Sequence, residues 1–126
     1  MPLLSTKGRY AARIMVALAD HGGERPMRTG EIARHEELTG AYAEQLLIKL
    51  KSAGLVQSVR GRSGGFVLAC DPATTPILTV LQAVEGDVCV TPCAQRDEPL
   101  CPRRTTCPTR ALWAQAEESL HAVLGS

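Results

Sequence analysis

The sequence predicts a mainly α-helical domain with one small β-hairpin and a long helix at its C-terminus. Three observations predict it. Apolar residues recur at helical spacing in separate stretches along the chain. One stretch, residues 56–69, breaks that period around a glycine-rich turn. The whole chain is 126 residues, the length of a single domain.

The first helix is "STKGRYAARIMVALADHGG". Ser5 or Thr6 can cap it, because a hydroxyl oxygen accepts from an orphan N–H of the first turn. Tyr10, Ala11, Ile14, Met15 and Leu18 form its apolar stripe, and Gly22 and Gly23 end it. A short second helix, "RTGEIARHEEL", follows the loop "GERPM", with Thr29 as its expected cap. The third helix, in "TGAYAEQLLIKLKSAGL", starts from Thr39. Ala43, Leu46, Leu47 and Leu50 face one side of it, and Ala41, Gln45, Lys49 and Ser52 the other. Gly54 is the expected stop, since glycine tolerates the left-handed conformation.

In "VQSVRGRSGGFVLA", Val56, Ser58 and Val59 read as one strand, "RGRSGG" as a turn and "FVLA" as a second strand. Three helices and a hairpin in this order are the layout of a winged helix-turn-helix domain, whose later helix enters the major groove of DNA. "PILTVLQAVEG" is then a short amphipathic helix with Ile77, Val80, Leu81 and Val84 on one face. The last helix is "PTRALWAQAEESLHAVL", with Pro108 expected in its first turn. Its stripe of Leu112, Trp113, Ala116, Leu120, Val123 and Leu124 must be covered by its own domain or by the same helix of a second subunit.

Apolar residues make up 44% of the chain, but only Tyr10, Tyr42, Phe66 and Trp113 are aromatic. No stretch approaches the ~18 apolar residues of a membrane span. The start of the chain lacks the apolar core of a signal peptide, so a cytoplasmic protein is expected. Thiols stay reduced there, and clustered cysteines then read as metal ligands or redox groups.

Net charge is only +1, but its distribution is uneven. Residues 1–62 hold ten Lys/Arg against six Asp/Glu, and residues 63–126 hold four against seven. Between Lys49 and Arg62 lie four cations (Lys49, Lys51, Arg60, Arg62) and no acid. A hairpin tip bearing arginines suits phosphate or minor-groove contact. Gln45 can read adenine and Glu44 can accept from cytosine. A solvated helix face beside a basic turn is the bland alternative. The hairpin favours double-stranded DNA as partner.

Four of the five cysteines fall in "CVTPCAQRDEPLCPRRTTC", spaced C-x3-C-x7-C-x5-C, with prolines beside three of them. Thiolates bind soft metals, and a loop lets nearby positions converge on one centre. Four cysteines could complete a mononuclear site or ligate an iron–sulfur cluster. The spacing lacks the C-x2-C pairs of a zinc ribbon. A set of reduced thiols without metal is the alternative. Cys70 stands apart and reads as a buried small hydrophobe.

"STKGRYAARIM", "EQLLIKLKSAGLVQSVRGRSGGFVLA", the clustered cysteines and "CPTRALW" together resemble the Rrf-type bacterial transcription regulators, the IscR and NsrR group. The resemblance covers essentially the whole chain. It implies a dimeric winged-helix repressor or activator whose DNA affinity responds to an iron–sulfur cluster held by three cysteines. It places those ligands at Cys93, Cys101 and Cys107 and the DNA contacts at Tyr42, Glu44, Gln45 and Arg60, with residues from Arg110 onward as the dimer helix. Thr39, Lys49 and Arg62 complete the expected DNA-contact set.

The chain departs from the resembling proteins at the fourth ligand. Where some carry a histidine three residues after the last cysteine, this chain has Arg110; where others borrow an acid from the first helix of the partner subunit, it has Arg9. Guanidinium offers a metal no lone pair. Cys89 is the expected substitute, and His35, water or a small thiol are the alternatives. The cluster is expected to be 2Fe-2S, with 4Fe-4S the alternative.

These readings divide the chain into a DNA-binding domain (1–72), a connecting helix (73–88), a cysteine-rich cluster-binding loop (89–107) and a C-terminal dimerisation helix (108–126). The expected function is a cytoplasmic, homodimeric transcriptional regulator modulated by a cluster. The alternative is a cluster-free thiol-redox or zinc-stabilised regulator. No activated nucleophile, His–carboxylate metal pattern or phosphate-cradling glycine loop is present, so no enzyme is expected.

Overall fold

The structure is a computed structural model that describes residues 4–21, 25–86, 88–89 and 107–126. Helix α1 (Thr6–Asp20) begins at Ser5, whose side chain accepts from the Lys7 N–H at 3.2 Å. Its buried face includes Ala11, Ile14, Met15 and Leu18 of the expected stripe, while Tyr10, also expected there, is half-buried. Gly22 and Gly23 lie outside the described residues.

Helix α2 (Thr29–Glu36) corrects one expectation. Its cap is Arg28, and Thr29 is already helical. The physical reason is Glu31, whose carboxylate reaches back to the Arg28 N–H at 3.5 Å, as the return half of a capping box does. The helix ends at Glu37, in the left-handed region at φ 58°.

Helix α3 (Gly40–Ser52) starts as expected, with Thr39 Oγ1 accepting from the Tyr42 N–H at 3.2 Å. Ala43, Leu46, Leu47 and Leu50 are all buried. Gly54 has φ +78° and donates to the Lys51 carbonyl, so the helix stops where glycine permits it.

Strands β1 (Val56–Val59) and β2 (Gly65–Leu68) pair antiparallel, Val56 with Leu68 and Val59 with Gly65. β2 therefore starts one residue earlier than expected. A further pairing was not foreseen. Met27, in the loop before α2, bridges Phe66 with both hydrogen bonds, at 3.0 and 2.7 Å. This approach requires glycine at 65, where an added Cβ would lie 2.3 Å from the Met27 carbonyl oxygen and where φ is +145°.

Helix α4 (Ile77–Glu85) packs along α1, and Val80 and Val84 join the core. The core also holds Ile14, Ile32, Leu46, Leu47, Leu50 and Val56, and each such side chain contributes about 1.5–3 kcal/mol by leaving water. Cys70, expected to be buried, is half-buried; it packs against this core and lines an apolar cavity of about 190 Å³ with Leu68 and Ile77.

Helix α5 (Arg110–Leu124) begins later than the proline suggested. Cys107 to Arg110 form a turn, and Thr109 sits at the cap without capping. Its hydroxyl is engaged instead by Cys107 Sγ at 3.1 Å. Pro108 thus precedes the cap. α5 meets α4, and none of its residues is buried in the single chain.

Candidate nucleic-acid interface and cysteine segment

The outer face of α3 follows from its inner one. With Leu46, Leu47 and Leu50 turned into the core, Ala41, Glu44, Gln45, Lys49 and Ser52 are left in solvent. Thr39 is exposed at the helix start. Ile48 joins this face at 56% exposure. It was not singled out from the sequence, although it falls off the buried stripe, and it offers the apolar contact that thymine methyl groups accept.

Tyr42 is half-buried, set edge-on to Tyr10 with ring centroids 6.1 Å apart. Arg13 lies over the Tyr10 ring, 4.9 Å from its centroid. The same guanidinium binds Glu36, with Nε 3.0 Å from Oε1 and an Nη donating to the Glu36 carbonyl at 3.3 Å. His35 Nδ1 lies 2.8 Å from the other Glu36 oxygen. Glu36 is 6% exposed, so these contacts hold a buried carboxylate at the end of α2. The chain of contacts from Glu36 through Arg13 and Tyr10 to Tyr42 fixes the start of α3. His35, the weaker ligand candidate, faces this carboxylate.

The hairpin stands beside the end of α3. Lys51 Nζ donates to Ser58 Oγ on β1 at 3.0 Å. Arg60 and Arg62 are exposed on the connecting turn, which Gly64 closes by donating to the Gly61 carbonyl. Arg62 shares a cleft with Arg25 and Arg28 of the Met27 loop, two cations not singled out from the sequence. Their signal was weak because the Met27–Phe66 pairing alone brings them to the wing.

Of the cysteine segment, Cys89 and Cys107 are described, and both are half-buried. Cys93 and Cys101 lie outside the described residues. Among the described residues no group of three or more potential ligands converges. Cys89 follows the buried Val88, whose carbonyl oxygen accepts from His121 Nε2 of α5 at 2.6 Å. Cys107 leads directly into α5. Both ends of the segment are thus tied to that helix. Two thiols flanking a segment with two more is a donor set of the kind soft metals and iron–sulfur clusters use. Arg9 is exposed on α1, and Arg110 is the first residue of α5.

Comparison with known proteins identifies this arrangement. A family model described as Rrf2, iron-dependent transcriptional regulator, matches residues 4–126. The Rrf2 protein of Nitratidesulfovibrio vulgaris is 32% identical over 123 residues, covering 98% of this chain and 81% of that protein. The transcriptional regulator IscR of Vibrio vulnificus is 40% identical over 110 residues, covering 87% of this chain. The chain spans only 64% of the length of that IscR. Among solved structures, CymR of B. subtilis, described as its global cysteine regulator, superposes with a TM-score of 0.79 at 35% identity, covering 98% of this chain and 90% of CymR. IscR of T. potens gives 0.77 at 33% identity, covering 97% and 79%. These are transcriptional regulators and not enzymes, as the absence of catalytic motifs led us to expect. With its helices, wing and C-terminal helix matched along almost its whole length, the chain belongs to the Rrf2 family of winged-helix transcriptional regulators.

Proposed function

We propose that this protein binds operator DNA as a homodimer, with an affinity set by an iron–sulfur cluster held by Cys93, Cys101 and Cys107, with Cys89 as fourth ligand. The observation that carries this reading is the anchoring of the cysteine segment. His121 holds Val88 before its first thiol, and its last thiol leads into the same helix. A change of state at the cysteines then reaches α5. That helix leaves Leu112 54% and Val123 72% exposed in the single chain, a surface suited to a second copy. When bound, the cluster supplies a centre whose charge and redox state respond to the cell. The family description as iron-dependent and the IscR relatives support this choice. On this reading residues 1–72 bind DNA, 73–88 connect, 89–107 hold the cluster and 108–126 dimerise, in a cytoplasmic protein. No helix among the described residues is long and apolar enough to cross a membrane.

On the DNA side, Glu44, Gln45 and Lys49 of α3 face the major groove, Arg60 and Arg62 reach the groove edge or phosphates, and Thr39 and Tyr42 set the helix start. Arg60→Ala should weaken binding by about 1–3 kcal/mol if it enters a groove. Glu44→Ala should relax sequence preference more than it lowers affinity. Selection from random duplexes with each protein tests both. A selection that enriches no sequence, together with an Arg60→Ala protein that binds like wild type, would refute the DNA reading.

A second reading has a specific support. The likeness to CymR, including a structure of the Staphylococcus aureus protein described as an oxidized form, with a TM-score of 0.76 at 29% identity, favours a thiol-redox regulator without a cluster. Purification without oxygen separates the two: visible absorption with iron and sulfide supports the cluster, and a colourless, iron-free protein supports thiol chemistry.

A further inference from the structure

We propose that Arg25, Arg28 and Arg62 form a phosphate-binding cleft beside the wing, which seats the backbone of the bound DNA. The proposal rests on the DNA-binding reading and extends its footprint to Arg25 and Arg28, outside α3 and the hairpin turn. Arg25 and Arg28 belong to the loop between α1 and α2, and Arg62 to the turn between β1 and β2. The Met27–Phe66 bridge joins these segments through two backbone hydrogen bonds, with Gly65 pressed against the Met27 carbonyl. This single β-bridge holds the two backbone segments that carry the three arginines side by side.

Together with Pro26, Glu31, Ser63 and Gly64 they line a cleft of about 210 Å³. Among the described residues only one carboxylate lines the cleft, that of Glu31. Glu31 Oε2 lies 4.0 Å from an Arg25 Nη, and its other oxygen is turned to the Arg28 backbone N–H. Among the described lining residues, three guanidiniums stand against one carboxylate, a net charge of +2. The Arg25 side chain is 71% exposed, and Arg28 and Arg62 are exposed too. Packing gains little from placing them together, and their mutual repulsion disfavours it. An oxyanion relieves that repulsion, and planar guanidinium forks match phosphate oxygens. The first turn of α2 borders the same cleft, and its partial positive charge adds to the preference for an anion.

The location decides the source of the phosphate. Arg60 and Arg62 share one short turn, so a phosphate at Arg62 lies beside whatever groove Arg60 enters. Phosphate contacts fix register without reading sequence. The cleft would hold the strand flanking the wing while α3 reads bases.

The test uses the full-length protein, the duplex it enriches from a random pool and a scrambled duplex of equal length. Binding is titrated between 50 and 200 mM salt for wild type, Arg25→Gln/Arg28→Gln, Arg25→Lys/Arg28→Lys and Arg60→Ala. Each lost phosphate contact lowers the log–log salt slope by about 0.9. We expect the double Gln protein to lose about one to two units of slope, equally on both duplexes, with its melting temperature unchanged. The double Lys protein should regain most of the slope. If the double Gln slope matches wild type while Arg60→Ala binds less well, the cleft is not a DNA contact, although the protein still reads DNA. If inorganic phosphate stabilises wild type but not the double Gln protein, and DNA binding is equal in both, the cleft serves a free phosphate and the proposal is overturned. If wild type retains no duplex, the underlying reading fails with it.

Discussion

His121 donates from Nε2 to the carbonyl oxygen of Val88 across 2.6 Å, which joins the C-terminal helix to the residue before Cys89. A carbonyl oxygen only accepts, so this contact requires the proton on Nε2. Val88 is buried, and the bond fixes where the cysteine segment leaves the core.

His121→Ala removes that donor and leaves the Val88 carbonyl without it. We expect a loss of about 0.5–1.5 kcal/mol in stability, read as a lower denaturant midpoint at unchanged m-value. His121→Gln keeps an N–H donor at a similar distance from the backbone and should recover part of the loss. Equal midpoints for all three proteins would show that the contact anchors nothing.

Arg13 holds the buried Glu36 carboxylate and lies over Tyr10, which in turn packs on Tyr42. Arg13→Ala leaves Glu36 with His35 as its remaining side-chain partner among the described residues. Half of the Arg13 side chain is exposed, so solvent screening limits the cost, and we expect about 1–3 kcal/mol. DNA affinity should fall as well, because the start of α3 loses its support. Denaturation and duplex titration of the same variant measure both effects. A stable protein with wild-type affinity would remove this link between α1 and α3.

Leu112 and Val123 sit eleven residues apart, three turns along the same side of α5, and both are exposed in the single chain. In a homodimer through α5 they are covered. Leu112→Glu/Val123→Glu should then sediment as a monomer at micromolar concentration, where wild type sediments as a dimer. A monomeric wild type, with or without iron, would rule out the assembly.

Cys93→Ala, Cys101→Ala and Cys107→Ala should each abolish cluster absorption. Cys89→Ala should lose or destabilise it only if Cys89 is the fourth ligand in place of the residues that Arg9 and Arg110 displace. A thiolate at that position also adds negative charge and lowers the reduction potential. An unchanged spectrum, iron content and potential in Cys89→Ala would make Cys89 a bystander.

Much of this architecture was legible because burial imposes a period. Ala43, Leu46, Leu47 and Leu50 announced the inner face of α3, and Gly54 its end, and both hold. The Met27–Phe66 bridge was not legible, since one paired residue carries no alternation. The start of α2 was misplaced because Thr29 is a good cap by type, while the Glu31 contact to Arg28 is a matter of geometry. The start of α5 was misplaced because Cys107 to Arg110 first close a turn, which leaves Pro108 before the helix. In the candidate site, Arg60 and Arg62 stood out as a run, whereas Arg25 and Arg28 gain meaning only once the sheet forms. Cysteine identity and spacing were plain from the start. The placement of Cys93 and Cys101 lies outside the described residues.

The central claim is that the state of the cysteine segment sets DNA affinity. Its most direct test is titration of one enriched duplex with the protein as purified without oxygen, the same protein after iron removal, and Cys107→Ala. Coupling between two sites of this kind amounts to about 5–150-fold in affinity. We predict a difference in that range between the iron-loaded and iron-free forms, with Cys107→Ala fixed at the iron-free value under both conditions. Superimposable binding curves for all three would contradict the account.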